Sequence, residues 1–161
     1  MSEQPGFQLR IERTFAAPVE DVFDAWTSAE VMRRWLHCEP DWQTPVAAVD
    51  LRVGGNVRVI MRRPDGREAG ARGEYALIDR PRRLVMRWTF DEEPANEQLI
   101  ELTFTQSGDA TTVLMVNSRI STYERRDAQD WGWHGCLDQL EGVLAGVIRR
   151  TRGPDGDALP R

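Results

Sequence analysis

From Phe7 to Arg13 apolar and polar residues alternate, the period-two signature of a strand with one buried face. Ala17-Pro18 closes that run. Proline suits a first helical position, Glu20 and Asp21 favour the dipole of a first turn, and Val19, Val22, Phe23 and Trp26 recur at helical spacing. Thr27 and Glu30 have the T-x-x-E form of a capping box, which predicts a second short helix carrying Val31, Met32, Trp35 and Leu36. After Pro40–Pro45 the pattern turns to strands. Val46–Val53 leads into Gly54-Gly55, and Val57, Val59 and Met61 then alternate with Arg58, Ile60 and Arg62. Arg63-Pro64-Asp65-Gly66-Arg67 reads as a reverse turn and Gly70–Asp79 as a strand. Leu84, Met86, Trp88 and Phe90 form the inward row of the next strand, and Ile100, Leu102 and Phe104 that of another, across the polar loop Asp91–Asn96. Ser107-Gly108-Asp109 turns the chain into a β-branched run, Thr111–Asn117. Trp133, Leu137, Leu140, Leu144 and Ile148 follow at steps of four, three, four and four, one face of a helix expected to begin near Arg126–Asp130 and end at Arg149–Arg152.

The order is thus strand, two short helices, five or six antiparallel strands, and one long amphipathic helix. This is an α+β chain in which a curved antiparallel sheet wraps around the C-terminal helix, with residues 1–151 as one domain and 152–161 as a disordered tail rich in Gly, Pro and Asp. The apolar face of the sheet needs a cover, and the last helix is the available one. A single helix does not fill the concavity of so long a sheet, so a cavity between the two is expected. Its candidate lining is Met61, Met86, Trp88, Phe90, Leu102, Phe104, Trp133, Leu137 and Leu140, for each of which ordinary core is the default reading.

Charge narrows the function classes. The 161 residues carry 21 basic and 26 acidic side chains, a net charge of -5, which argues against sequence-independent nucleic-acid binding. Every basic residue is Arg, so Schiff-base chemistry, a pyridoxal anchor and a Walker A loop all lack their lysine. The longest uncharged run, Ala110–Ser118, is far short of the roughly 20 residues of a membrane span. With no signal pattern over Met1–Phe7 and two lone cysteines, the chain reads as cytoplasmic.

Candidate chemistry is sparse. His37-Cys38 follows the second helix and His134-Gly135-Cys136 opens the last, and four soft ligands would converge if those ends met. Their spacing matches no zinc pattern, and residues 134 and 136 point to different sides of a helix, so neither a metal nor another cofactor is expected. His134 is the one candidate general base, needing an orienting carboxylate from among Glu39, Asp41, Asp130 and Asp138; its plain reading is a helix-surface residue. Trp35, His37 and Trp42, around the second helix and its following loop, are candidates for the rim of the cavity or for a hydrophobic cluster closing the sheet. Glu74 is open between two inward rows, Glu74/Ala76/Ile78 and Tyr75/Leu77. Outward Val85, Leu99 and Ile60 point towards an apolar patch and a homodimer.

Ordered segments carry a family resemblance. They are Phe15-Ala16-Ala17-Pro18 leading to Val22–Trp26, Arg34-Trp35, Val53-Gly54-Gly55-Asn56, Pro64-Asp65-Gly66, Gly73-Glu74-Tyr75, Pro81–Trp88, Thr111–Leu114 and Gly132-Trp133. In this order, from about residue 8 to 150, they resemble the START-like (SRPBCC) superfamily of helix-grip proteins, and within it the family of homologues of the activator of heat-shock-protein-90 ATPase. The resemblance implies a deep cavity between sheet and C-terminal helix. It implies little about reaction, since relatives include lipid carriers, cyclases, resistance proteins and a co-chaperone domain. Three readings stay open: non-catalytic binding of a hydrophobic or aromatic small molecule, a cyclase- or hydrolase-type enzyme using the same cavity, and a co-chaperone-like interaction domain.

Overall fold

The computed structural model describes residues 6–152, with side chains to residue 146. Strand β1 (Phe7–Phe15) leads into helices α1 (Val19–Thr27) and α2 (Ala29–Trp35). The strands β2 (Gln43–Val49), β3 (Asn56–Arg62), β4 (Glu68–Asp79), β5 (Arg83–Phe90), β6 (Glu97–Ser107) and β7 (Ala110–Ile120) follow, and α3 (Tyr123–Arg152) ends the fold. The seven strands form one curved antiparallel sheet in the order β1-β7-β6-β5-β4-β3-β2, so the meander is read straight off the sequence and only β1 crosses to pair with the last strand. The tail expectation lies, from Gly153 on, outside the described residues.

Helix α3 lies across the concave face, burying Trp133, Cys136, Leu137, Leu140 and Leu144 against the inward rows of the strands. Helices α1 and α2 close one end. Phe23 meets Phe104 edge-on with ring centroids 5.2 Å apart, and Trp26 meets Trp35 in the same way at 4.8 Å. Arg13, which shares the inner parity of β1, reaches out along α3 to Asp138 at 2.9 Å and Glu141 at 3.5 Å.

Several boundaries differ from expectation, each for a local reason. The cap of α2 is Ser28, whose Oγ accepts from Val31 N at 3.4 Å; the Thr27 hydroxyl instead donates to Phe23 O within α1. The second strand spans Gln43–Val49, not Val46–Val53, because Asp50–Gly55 folds into a turn held by Gly55 N to Arg52 O and by Tyr75 bonds to Gly54 and Gly55. Leu51 and Val53 are exposed there. Helix α3 starts at Tyr123, a few residues earlier than the apolar stripe predicts, because the Thr122 hydroxyl accepts from Arg125 N at 3.1 Å.

The two rows proposed for β4 are both right for part of its length. Tyr75 faces inward beside Met86, but a bulge between Tyr75 and Leu77 shifts the register, so Leu77 faces out with Val85 and Ile78 faces in with Leu84. Glu74 therefore lies outside, 3.9 Å from Arg87. The outward patch is corrected too: Val85 is only 9% exposed and Leu99 and Ile60 are half-buried, while Trp131, Tyr123, Val53 and Leu51 are the prominent exposed apolar side chains.

Where α3 meets the segment after α2, the helix carries Gly132 and Gly135. A Cβ on Gly135 would stand 2.0 Å from the Cys38 carbonyl oxygen, and one on Gly132 3.2 Å from Cys38 Sγ. Mid-helix glycine costs roughly 0.5–1 kcal/mol against alanine, and here that cost permits backbone-to-backbone contact. Gly142, further along the same helix, has nothing within 4 Å of such a Cβ. We therefore expect Gly142→Ala to raise stability in urea unfolding by about 0.5–1 kcal/mol, and Gly135→Ala to lower it by about 1–3 kcal/mol through overpacking. The same sign for both substitutions would contradict the close docking of Cys38 on α3.

A candidate ligand cleft between sheet and helix

Small residues on β4 make the space. Ala71 and Gly73 stand opposite Phe90 and Trp88 in the β4–β5 register, and a Cβ on Gly73 would lie 2.8 Å from the Trp88 ring. The Trp88 indole therefore lies over β4 instead of being lifted away from it. Between β3–β5, the first half of α3 and the segment after α2 lies a cleft of about 220 Å³. Its apolar walls are Leu36, Trp42, Val59, Met61, Trp88, Phe90, Trp131 and Trp133. Cys38, Arg63, Glu92, Arg125, Gln129 and Cys136 supply the polar and sulfur groups.

The indoles are arranged in two groups. Trp88 and Trp133 have centroids 6.5 Å apart, with Phe90 6.4 Å from Trp88 and Trp26 5.8 Å behind Trp133. At the mouth, Trp42 and Trp131 meet edge-on at 6.4 Å, and the Arg63 guanidinium covers Trp42 at 5.0 Å from the ring centroid. Arg125 bonds Glu92 at 2.7 Å and lies 3.2 Å from Glu93, strapping the start of α3 to the loop after β5. Among the described residues Trp88 Nε1 and Gln129 Nε2 are buried donors without a partner.

Of the residues singled out from sequence, Trp42, Met61, Trp88, Phe90 and Trp133 are brought together around this cleft. The others lie elsewhere. Met86, Leu102, Phe104, Leu137 and Leu140 are buried among the core residues, because the curved sheet closes directly onto α3 along their length. Trp35 is fully buried and donates its Nε1 proton to Ala25 O at 2.9 Å, so it ties α2 to α1. His37 is buried with Nδ1 2.8 Å from Thr44 Oγ1. The Thr44 hydroxyl proton goes to Leu36 O, so His37 is the donor and its proton sits on Nδ1. His134 is half exposed, outside the cleft lining, and 3.6 Å from Asp130, the one of its four candidate carboxylates that it meets.

Trp131, Cys38, Arg63, Arg125 and Gln129 were not anticipated as cleft residues. Trp131 lies off the apolar stripe of α3, and the readable signal was a tryptophan on an otherwise polar helical face. The two cysteines do approach: Cys38 Sγ packs beside Gly132, one turn before Cys136 on α3, and among the described residues no histidine joins them in a group of three. Hydrogen bonding from Cys136 and the nearby Arg63 charge hold the Cys38 thiol below its ordinary value, against burial; the bond to Cys38 and burial push Cys136 well up. Burial raises Tyr75, whose hydroxyl has no partner, to about 12. Among the described residues no three His, Cys, Asp or Glu side chains converge as metal ligands, and no helix is long and apolar enough to cross a membrane.

A curved seven-stranded sheet gripping one long helix, with two short helices after the first strand, is the helix-grip architecture of the START/SRPBCC superfamily. The chain belongs to the family described as Activator of Hsp90 ATPase homolog 1-like protein, whose model matches residues 16–145. Solved structures agree. A Rhodobacter sphaeroides protein is 27% identical, with a TM-score of 0.75, over 87% of this chain and 93% of its own. A Rhizobium leguminosarum protein is 26% identical at the same TM-score, over 88% and 95%. An AHSA1-like protein from Aeromonas hydrophila, 24% identical over 88% of this chain and 94% of its own at 0.75, shares the fold. No curated protein matches. Membership fits a ligand-binding or a co-chaperone-like domain.

Burial lowers the proton affinity of His37 from its ordinary 6.5. Below that value the unfolded chain binds a proton that the folded site refuses, so this group's stabilisation is complete above about pH 6.5 and falls as the pH drops. His37→Gln should therefore lose less stability than the wild type between about pH 7.5 and 5.5 in urea unfolding. Parallel losses would show that His37 does not carry this dependence.

Proposed function

We propose that the cleft binds a small hydrophobic or aromatic molecule without turning it over. The observation that carries this reading is the convergence of Trp42, Trp88, Trp131 and Trp133 with Phe90 and Met61 around one space. Aromatic faces recognise flat ligands by offset and edge-on stacking, and methionine adapts to their outline. The volume, about 220 Å³, is below the roughly 300–1,000 Å³ common for drug-sized ligands, so one or two fused rings suit it. The cyclase or hydrolase reading loses its candidate base, since His134 stands outside the lining.

Native against denaturing mass spectrometry of gently purified protein tests for a retained small molecule, and the same spectrum distinguishes monomer from homodimer. Titration with 2-naphthol, followed by tryptophan fluorescence, gives a defined probe. Trp88→Ala should weaken 2-naphthol binding at least about tenfold, near 1.4 kcal/mol, whereas Phe104→Leu in the core and His134→Ala should stay within a few fold. Unchanged affinity in folded Trp88→Ala would remove the cleft as the binding site.

A second reading, docking on a chaperone of the Hsp90 class, draws on the family description and on the exposed edge-on pair Phe7 and Tyr123, 6.2 Å apart. Stimulation of such a chaperone's ATPase that Tyr123→Ser abolishes would favour it over small-molecule binding.

A further inference from the structure

Three sulfur atoms meet at the cleft from three separate elements. Cys38 comes from the segment after α2, Met61 from β3 and Cys136 from α3, and all three belong to the lining. Cys38 Sγ lies 3.9 Å from Met61 Sδ and 3.2 Å from where a Cβ on Gly132 would stand, one helical turn before Cys136 on the same face of α3. The cluster is built by the fold: Gly132 and Gly135 remove the side chains that would otherwise hold Cys38 away from α3. Cys136 is 1% exposed, whereas Cys38 and Met61 are only partly buried, which leaves an entry path from the cleft.

We propose that Cys38, Cys136 and Met61 form a three-sulfur site for a soft monovalent cation, copper(I) being the representative. Two thiolates and a thioether are the donor set that selects copper(I) over harder ions. With bonds of about 2.3 Å, the length of a zinc–thiolate bond, three sulfurs in a trigonal plane stand about 4.0 Å apart. The Cys38–Met61 separation matches that spacing before any ion is present. Zinc is disfavoured, because it takes four nitrogen, oxygen or sulfur ligands and, among the described residues, no His, Asp or Glu joins the two cysteines in a group of three. As the two copper–thiolate bonds form, the two thiol protons leave to solvent and the thioether donates without losing one. The resulting site carries one net negative charge, which the Arg63 guanidinium, close enough to act on Cys38, opposes. Sequence spacing hid the site, since its ligands lie 23 and 98 positions from Cys38 (38 to 61 and 38 to 136).

The experiment is an anaerobic titration of the reduced full-length chain with copper(I) against bicinchoninate, followed by X-ray absorption of the loaded protein. One copper(I) per chain in an all-sulfur shell is expected. Cys38→Ser and Met61→Leu, both at partly exposed positions, should fold as the wild type by circular dichroism. Each should weaken copper(I) at least by the roughly 10–100-fold that even outer-shell partners are worth. Unchanged affinity in either variant, a stoichiometry well below one, or nitrogen or oxygen in the shell overturns the proposal. None of these outcomes bears on the aromatic-ligand reading, which is scored with 2-naphthol on Trp88→Ala.

Discussion

The contact between the Cys38 backbone and Gly135 of α3 organises the functional end of this protein. A sheet of seven strands can grip one helix in many orientations, because burial of apolar surface is non-directional. Contact at backbone distance is far more restrictive. It holds the first half of α3 against the segment after α2, places Trp131 and Trp133 over β3–β5, and leaves the remaining gap as the cleft. The glycines at 132 and 135 weaken the isolated helix to achieve this.

Away from the cleft the inner face carries larger side chains along the strands. Leu84, Met86, Leu102 and Phe104 are buried in one cluster with Leu137, Leu140 and the α1 residue Phe23, whose ring meets that of Phe104 edge-on. Where β4 contributes Ala69, Gly70, Ala71 and Gly73, the sheet offers almost no side chain and the indoles of Trp88 and Trp133 border open volume. The taper from large to small residues across the inner face therefore sets where the cleft lies. Family membership agrees with this architecture.

The secondary structure was legible because it rests on local periodicity. Alternation in β3, β5, β6 and β7 reflects one buried face that a one-residue slip would expose, and the four-three-four stripe from Trp133 to Leu144 is the buried face of α3. The errors fell where one hydrogen bond outweighs a pattern: Ser28 in place of Thr27 at a cap, the turn that ends β2 early, and Thr122 starting α3. The bulge at Tyr75–Leu77 defeated both strict readings of β4, since a single extra residue reverses which side faces in.

The sequence by itself determined the helix-grip order, most of the inward rows and the exclusion of lysine chemistry, and it offered Trp42, Met61, Trp88, Phe90 and Trp133 within a longer set of candidate wall residues. It could not separate these from Met86, Leu102, Phe104, Leu137 and Leu140, because cavity wall and core share one pattern and differ only in what lies opposite them. Tertiary structure alone decided that partition, placed His134 outside the cleft, and joined Cys38 to Cys136 and Met61. The physical reason is the same in each case. Periodicity records which way a side chain points, whereas a site depends on distances between residues far apart in the chain, and here those are set by two glycines that let a helix and a loop touch.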